Sequence, residues 1–248
     1  MYTLNLDDGY SFGLGIFETI ALKNQRPVFP EEHLKRLFHS LDKLHIENPQ
    51  VRELLTANRL SQEAARCPYP KGVLKISVSE RNLLFSCREN TYTEGQYQRG
   101  FHVQLSPVLR NETSPLTYHK TLNYGDNILE KRRAHREAFD EPIFLNTQGQ
   151  ICEGATTNLF FVKKEKLFTP QTECGLLNGI LRDYILRHYP VTQTVIRPEQ
   201  VFDYEEIFLT NSLLGIMPVS VWNQTPLSEH ALTDKLRKEY EEYLNHLI

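Results

Sequence analysis

The hydrophobic period of this chain changes early and keeps changing, and that switching constrains its fold more than any other property. Apolar residues alternate over Ile16 to Leu22, pause at Lys23-Asn24-Gln25-Arg26 and resume at Pro27-Val28-Phe29, the pattern of a hairpin. Leu34, Leu37, Phe38, Leu41 and Leu44 then recur at helical spacing behind Pro30-Glu31-Glu32. Those acids suit the positive end of a helix, which is expected over about Glu31 to Leu44. A second helix is expected over Val51 to Ala65, and strands over Val73 to Ser79, Leu83 to Cys87 and Phe101 to Leu105. Ser106 to Pro115 is polar, turn-rich and bracketed by proline, which makes it the candidate linker. Beyond it the pattern predicts a helix from Tyr124 to Phe139 and strands at Ile143 to Leu145, Ile151 to Glu153 and Leu159 to Val162. A short helix follows at Ile180 to Tyr189, and a charged amphipathic helix closes the chain over Glu229 to Leu247. Strands separated by both tight turns and helices predict a mixed α/β chain of the α+β class rather than a doubly wound sheet.

Composition narrows the function classes. A chain of 248 residues can bury a core large enough to need no staples. The formal net charge is −3, with lysine and arginine scattered along the chain, so nothing offers the basic stripe that nucleic acid requires. No apolar run approaches the roughly 20 residues that cross a bilayer, and the start, MYTLNLDDGY, has neither a basic nor an apolar leader region. A cytoplasmic protein without membrane contact is expected. Cys67, Cys87, Cys152 and Cys174 lie far apart with no C-x-x-C pair, which predicts reduced, buried thiols and no metal site.

Gly13-Leu14-Gly15 resembles a dinucleotide loop only briefly. Glu18 stands where the third glycine belongs, and strand follows where a helix should begin. No P-loop, H-E-x-x-H or G-x-S-x-G sequence is present. The informative segment is His119-Lys120-Thr121-Leu122-Asn123-Tyr124, a lysine set between the turn-rich stretch and an apolar-periodic helix. Alone it reads as a solvated loop lysine, but four other segments accompany it. Cys152-Glu153-Gly154-Ala155-Thr156-Thr157-Asn158-Leu159 puts an acid at a strand end before small residues. Leu176-Leu177-Asn178-Gly179-Ile180-Leu181-Arg182 joins a loop to a helix and offers backbone N–H groups to a phosphate. Leu209-Thr210-Asn211-Ser212-Leu213 follows an apolar strand with hydroxyls, and His33-Leu34-Lys35-Arg36-Leu37 puts a cation on the first long helix.

Together these segments resemble the class IV aminotransferases, the fold-type IV pyridoxal-phosphate enzymes. The likeness runs from Gly15-Ile16-Phe17-Glu18-Thr19 to Pro218-Val219, with the family's segments in order. It implies a homodimer of two-domain protomers: a small N-terminal α/β domain over 1–108, a linker over 109–115 and a larger pseudo-barrel domain over 116–248. It also implies that Lys120 forms a Schiff base with pyridoxal 5'-phosphate, that Glu153 contacts the pyridine nitrogen, and that Arg36 meets the phosphate. Backbone N–H groups of Ile180 and Leu181 and the Ser212 hydroxyl would complete the phosphate contacts, with Tyr124 beside the phenolic oxygen. Relatives often carry threonine where this chain has Leu181, so a side-chain contact is lost there.

The implied roles are chemically sensible. An amine in an apolar, cation-flanked site sheds its proton more easily, and a carboxylate against the ring nitrogen keeps the cofactor an electron sink. Singly, each residue has an ordinary explanation: a strand-end acid for Glu153, a surface helix charge for Arg36, a core aromatic for Tyr124, a helix cap for Ser212. Arg88, in Phe85-Ser86-Cys87-Arg88-Glu89, is the candidate for a substrate carboxylate, with Arg81 and Arg99 as alternatives. The runs Lys120 to Leu129 and Thr210 to Leu213 most resemble the 4-amino-4-deoxychorismate lyase family, which forms 4-aminobenzoate and pyruvate for folate biosynthesis. An aminotransferase acting on branched-chain or D-amino acids and a non-catalytic binding module on the same scaffold remain as alternatives.

Overall fold

The computed structural model describes residues 4–247, which divide into two compact units. One comprises the chain up to Thr91 together with His119–Tyr124; the other comprises Tyr92–Tyr118 and Gly125–Leu247.

The first unit runs α1 (Asp8–Phe12), β1 (Ile16–Lys23), β2 (Arg26–Pro27), α2 (Pro30–Lys43), α3 (Val51–Leu54), α4 (Ala57–Ala65), β3 (Lys71–Val78) and β4 (Leu83–Glu89). Its sheet has the order β2-β1-β3-β4 with every neighbour antiparallel. Strand alternation puts Ile16, Ile20 and Leu22 in one core with Leu74, Ile76 and Val78 of β3 and Leu34, Leu37 and Leu41 of α2. Phe17 and Thr19 therefore point to the opposite face. The helix expected over Val51 to Ala65 is two helices. Thr56 is extended between them, and its side chain accepts from Arg59 N at 3.2 Å, starting α4 afresh.

Cys67 and Cys87 form a disulfide, with Cα atoms 5.9 Å apart, against the expectation of four reduced thiols. Their separation in sequence hides their proximity: the β3–β4 hairpin returns Cys87 opposite Leu74, and Gly72, two residues from Leu74, lies against the Cys67 sulfur. Cys152 and Cys174 are free and buried.

The second unit runs α5 (Glu94–Arg99), β5 (Phe101–Leu105), α6 (Gly125–Arg136), β6 (Glu141–Leu145), β7 (Ile151–Gly154), β8 (Asn158–Lys163), β9 (Lys166–Pro170), α7 (Ile180–His188), β10 (Val191–Thr194), β11 (Glu206–Asn211), β12 (Gly215–Trp222), β13 (Thr225–Pro226) and α8 (Ala231–Leu247). One sheet has the order β10-β9-β8-β11-β12-β5-β6-β7, with β13 on β12. Its core gathers Phe101, Val103, Ile143, Leu159, Phe161, Leu209, Met217 and Trp222. The helix expected from Tyr124 begins at Gly125 and ends at Arg136, where Ala138 turns left-handed at φ 64°.

The division does not fall at the expected 108, nor is 109–115 a free linker. β5 lies between β12 and β6, parallel to both, which commits it to the second sheet. The stretch after it is pinned along β6, with Ser106 N donating to Ile143 O and Arg110 N to Leu145 O, both at 2.8 Å. Only His119–Tyr124 returns to the first unit. No described helix is long and apolar enough to cross a membrane.

The cysteine pairing sets a countable expectation: denatured, unreduced protein titrates two thiols, and reduction releases two more. Closing a loop with a sequence separation of 20 should contribute about 3 kcal/mol. Reductant therefore lowers the unfolding midpoint, and four thiols before reduction would refute the pairing.

Candidate active site

In the first unit the site is built on β1. The segment His119–Tyr124 lies against its start: Phe17 N donates to Lys120 O and Leu122 N to Gly15 O, each at 2.8 Å, while Thr121 bridges to Ile16. The two glycines that mimic a dinucleotide loop make this approach possible. A Cβ on Gly15 would stand 2.6 Å from Leu122 Cδ1, and one on Gly13, which has φ 74°, would stand 2.9 Å from the Asn123 backbone. Lys120 is thereby fixed through its own backbone. Its half-buried Nζ lies 4.5 Å from the Phe17 ring centroid and 5.2 Å from that of Tyr124, and these two rings meet edge to face at 5.1 Å.

Glu18, beside Phe17, points the other way, beneath α2, and is wholly buried. Arg36 donates to both its oxygens, Nε to Oε1 at 2.8 Å and Nη2 to Oε2 at 2.6 Å, and His33 Nδ1 lies 2.7 Å from Oε2. Burial pushes the Glu18 carboxyl up, but the charges of Arg36 and His33 outweigh it and hold the group at about 2. Burial also lowers His33, against the pull of Glu18. A neutral His33 donates from Nδ1 to Glu18, which makes its buried, unpartnered Nε2 an acceptor. The sequence pointed to Arg36 but gave no reason to single out Glu18, an acid in an otherwise apolar strand face.

Lys75 on β3 is another residue that sequence reasoning passed over. Its Nζ lies 4.7 Å from the centroid of Phe17, and burial, helped by Arg88, pushes its ammonium below the usual lysine range. The register pairs Lys75 with Ser86 and Val73 with Arg88, so Arg88 shares this sheet face two residues along. Arg88 itself is exposed and donates to Glu89 O at 2.9 Å.

In the second unit Glu153 is the penultimate residue of β7 and is buried. Its Oε1 is 3.2 Å from Arg110 Nη2, and its Oε2 accepts from Leu177 N at 3.0 Å. Arg110 stacks over Phe144 at 4.1 Å and donates to Asn127 Oδ1 at 3.1 Å, so the pair is oriented as well as charged. Arg110 went unread because it lies in the stretch taken for a linker. Leu177 brings the next motif beside Glu153. Ile180 and Leu181 open α7, whose N-cap Gly179 supplies no capping side chain. A Cβ on Gly179 would stand 2.2 Å from Asn158 Oδ1, and Asn158 in turn donates to Leu177 O at 2.8 Å, so loop and strand lie flush.

Ser212 sits in the turn between β11 and β12. Asn211 shapes that turn by accepting from Leu213 N and Leu214 N, and donates to Thr156 O at 3.0 Å, in the turn that follows Glu153. Thr210, the register partner of Asn158, keeps a buried hydroxyl without a hydrogen-bond partner. The structure thus brings Lys120 and Tyr124 together against Phe17 and places Arg36 with Glu18 on the opposite face of the same sheet; Glu153, Ile180, Leu181 and Ser212 lie in the second unit.

Residues 15–222 match the family described as amino-transferase class IV. An aminodeoxychorismate lyase of Vibrio harveyi is 27% identical over 237 residues, covering 86% of this chain and 85% of its own. A D-alanine aminotransferase of Listeria monocytogenes is 27% identical over 241 residues, covering 88% and 82%. Among solved structures, a Legionella pneumophila protein provisionally assigned as a 4-amino-4-deoxychorismate lyase superposes with a TM-score of 0.87 at 25% identity, over 98% of this chain and 96% of that one. The chain belongs to the class IV aminotransferase family and carries its fold-type IV architecture. That family comprises pyridoxal-phosphate-dependent transaminases and lyases.

Because its carboxyl is held below its ordinary value, Glu18 stabilises the fold fully above pH 4.5, and that contribution fades as pH falls toward about 2. Glu18→Gln should destabilise the protein by about 3 to 5 kcal/mol at neutral pH, since the Arg36 guanidinium loses its counter-charge. The difference from wild type should shrink through that acid window in denaturant titrations, and a constant difference would refute the ion-pair account.

Proposed function

We propose that this chain is a pyridoxal-phosphate-dependent lyase that converts 4-amino-4-deoxychorismate to 4-aminobenzoate and pyruvate. The observation that carries the proposal is the polar face of the first sheet. Lys75 stands on it one rung along from Phe17, opposite Thr19, and Arg88 one rung further, opposite Val73, while Lys75 and Lys120 both reach the Phe17 ring. The proposed substrate carries two carboxylates, and a face with two cations suits it better than it suits the apolar side chain of a branched amino acid. The likeness to the Vibrio harveyi lyase over most of both chains supports the same reading.

The residues also suit the cofactor. Lys120 offers an amine between two aromatic rings, Glu153 a carboxylate already oriented by Arg110 and Leu177, and α7 an N-terminus with no side-chain cap. The orphan hydroxyl of Thr210 is a buried donor one residue from the Asn211-Ser212 turn. The first N–H groups of α7 and Ser212 would hold its phosphate, and Glu153 its ring nitrogen. When bound, pyridoxal phosphate supplies the electron sink beside the substrate's amine.

The chain's own work is then proton transfer and orientation. Lys120 Nζ takes the proton from the ring carbon that bears the amine, and Phe17 and Tyr124 stabilise the ammonium so formed. The same Nζ returns a proton to the departing enolpyruvyl group, which leaves as pyruvate, so substrate atoms and product atoms balance. Glu153 keeps a proton on the ring nitrogen, with Arg110 holding the carboxylate in place. Lys75 and Arg88 bind the substrate's carboxylates and touch no reacting atom.

Coupled detection of pyruvate and 4-aminobenzoate from the purified protein tests the reaction; turnover of D-alanine with 2-oxoglutarate but none of aminodeoxychorismate would replace it with transamination. Lys120→Ala should abolish turnover together with the visible absorption band of the bound cofactor. Lys75→Met should raise KM for the dicarboxylate by about 10- to 100-fold, the worth of one charged hydrogen bond, with a smaller change in kcat. An unchanged KM would remove Lys75 from the substrate site.

A further inference from the structure

Arg182 stands in the first turn of α7 and is 1% exposed. Its guanidinium donates to Asn178 Oδ1 at 2.8 Å, Pro170 O at 3.0 Å and Gln193 Oε1 at 2.9 Å, all neutral acceptors, while its buried Nε has none. Among the described residues it forms no ion pair; Asp183, Glu153 and Glu173 act on it only from farther away. The other deeply set cations of this unit are matched directly, Lys131 by Glu141 at 2.6 Å and Arg110 by Glu153 at 3.2 Å. A guanidinium cannot shed its proton, so a buried one without a carboxylate leaves a positive charge for something else to balance.

The place of this charge is informative. Arg182 Nη1 grips Asn178, the residue before the N-cap Gly179, and Gly179 is seated flush on Asn158. The first N–H groups of α7 lack both intrahelical acceptors and a side-chain cap. Helix terminus and buried cation thus favour the same occupant, an anion ahead of Ile180. We infer that Arg182 is a positioning residue for the cofactor's phosphate: it locks the Asn178-Gly179 corner and supplies the buried charge that selects a phosphate-bearing ligand over a neutral one. The inference rests on the pyridoxal-phosphate reading above.

The test compares the apoprotein's affinity for pyridoxal phosphate and for pyridoxal, each followed by absorbance titration. Arg182→Met should weaken pyridoxal phosphate about 100-fold and pyridoxal less than about threefold, and Arg182→Lys, which keeps the charge, should recover to within about tenfold of wild type. Equal losses for both ligands, or no loss for either, would make Arg182 a structural residue only and overturn the inference. Should Arg182→Met not fold, the exposed Asn178→Ala is read instead, with about a tenfold loss expected for the phosphate-bearing ligand alone; equal or absent effects again overturn it. Wild-type protein that binds neither ligand would instead overturn the cofactor reading, an outcome distinct from the others.

Discussion

Neighbouring residues on a strand point to opposite faces, and β1 uses that rule to keep the buried Glu18 carboxylate on one face and the lysines that reach Phe17 on the other. Glu18 faces α2, where no water can meet its carboxylate, so Arg36 and His33 must. That requirement fixes how α2 lies across the sheet. With α2 in place, Phe17 on the opposite face becomes a floor for Lys120 and Lys75. A neutral residue at Glu18 would leave the Arg36 guanidinium without its counter-charge, with only the apolar contacts of Leu34, Leu37 and Leu41 holding α2 to the sheet.

The second unit solves a related problem differently. Glu153 lies near the end of a fully buried strand, and its charge is met by Arg110 from a loop and a backbone N–H from Leu177, not by a helix. Its following turn is tied down by the buried Glu141, which accepts from Thr156 N at 2.6 Å and from Lys131 Nζ at 2.6 Å. Asn127 donates to Ala155 O and Asn211 to Thr156 O in the same turn. Short, charge-assisted contacts of this kind hold the Glu141 carboxylate, and with it the turn that follows Glu153, in one arrangement.

Much of this was legible in the sequence because it depends on local pattern. Period-two alternation found β1, β3 and β5, the spacing of Leu34, Leu37 and Leu41 found α2, and the ordered motifs named Lys120, Glu153 and Arg36. What the pattern could not carry is pairing across the chain. Glu18 looks like a blemish in an apolar strand until α2 is laid over it, and Arg110 looks like linker charge until β6 runs beside it. Thr56 carried the cap that splits one expected helix into two, but a lone threonine inside a periodic run gives a weak signal. Cys67 and Cys87 were separated by a hairpin whose register only the fold defines.

The passage of the chain through the two units has a consequence for inheritance. The segment that carries Lys120 belongs to the first unit, yet it is encoded after Tyr92–Tyr118, a stretch that belongs to the second. No contiguous piece of the gene therefore encodes either unit whole. A recombination event that exchanged the first ninety or so codons would deliver β1 without the segment that pairs with its start, and one that cut between Tyr118 and Gly125 would split the lysine from the aromatic residues that receive it. Such a protein can diverge by substitution far more readily than by swapping modules.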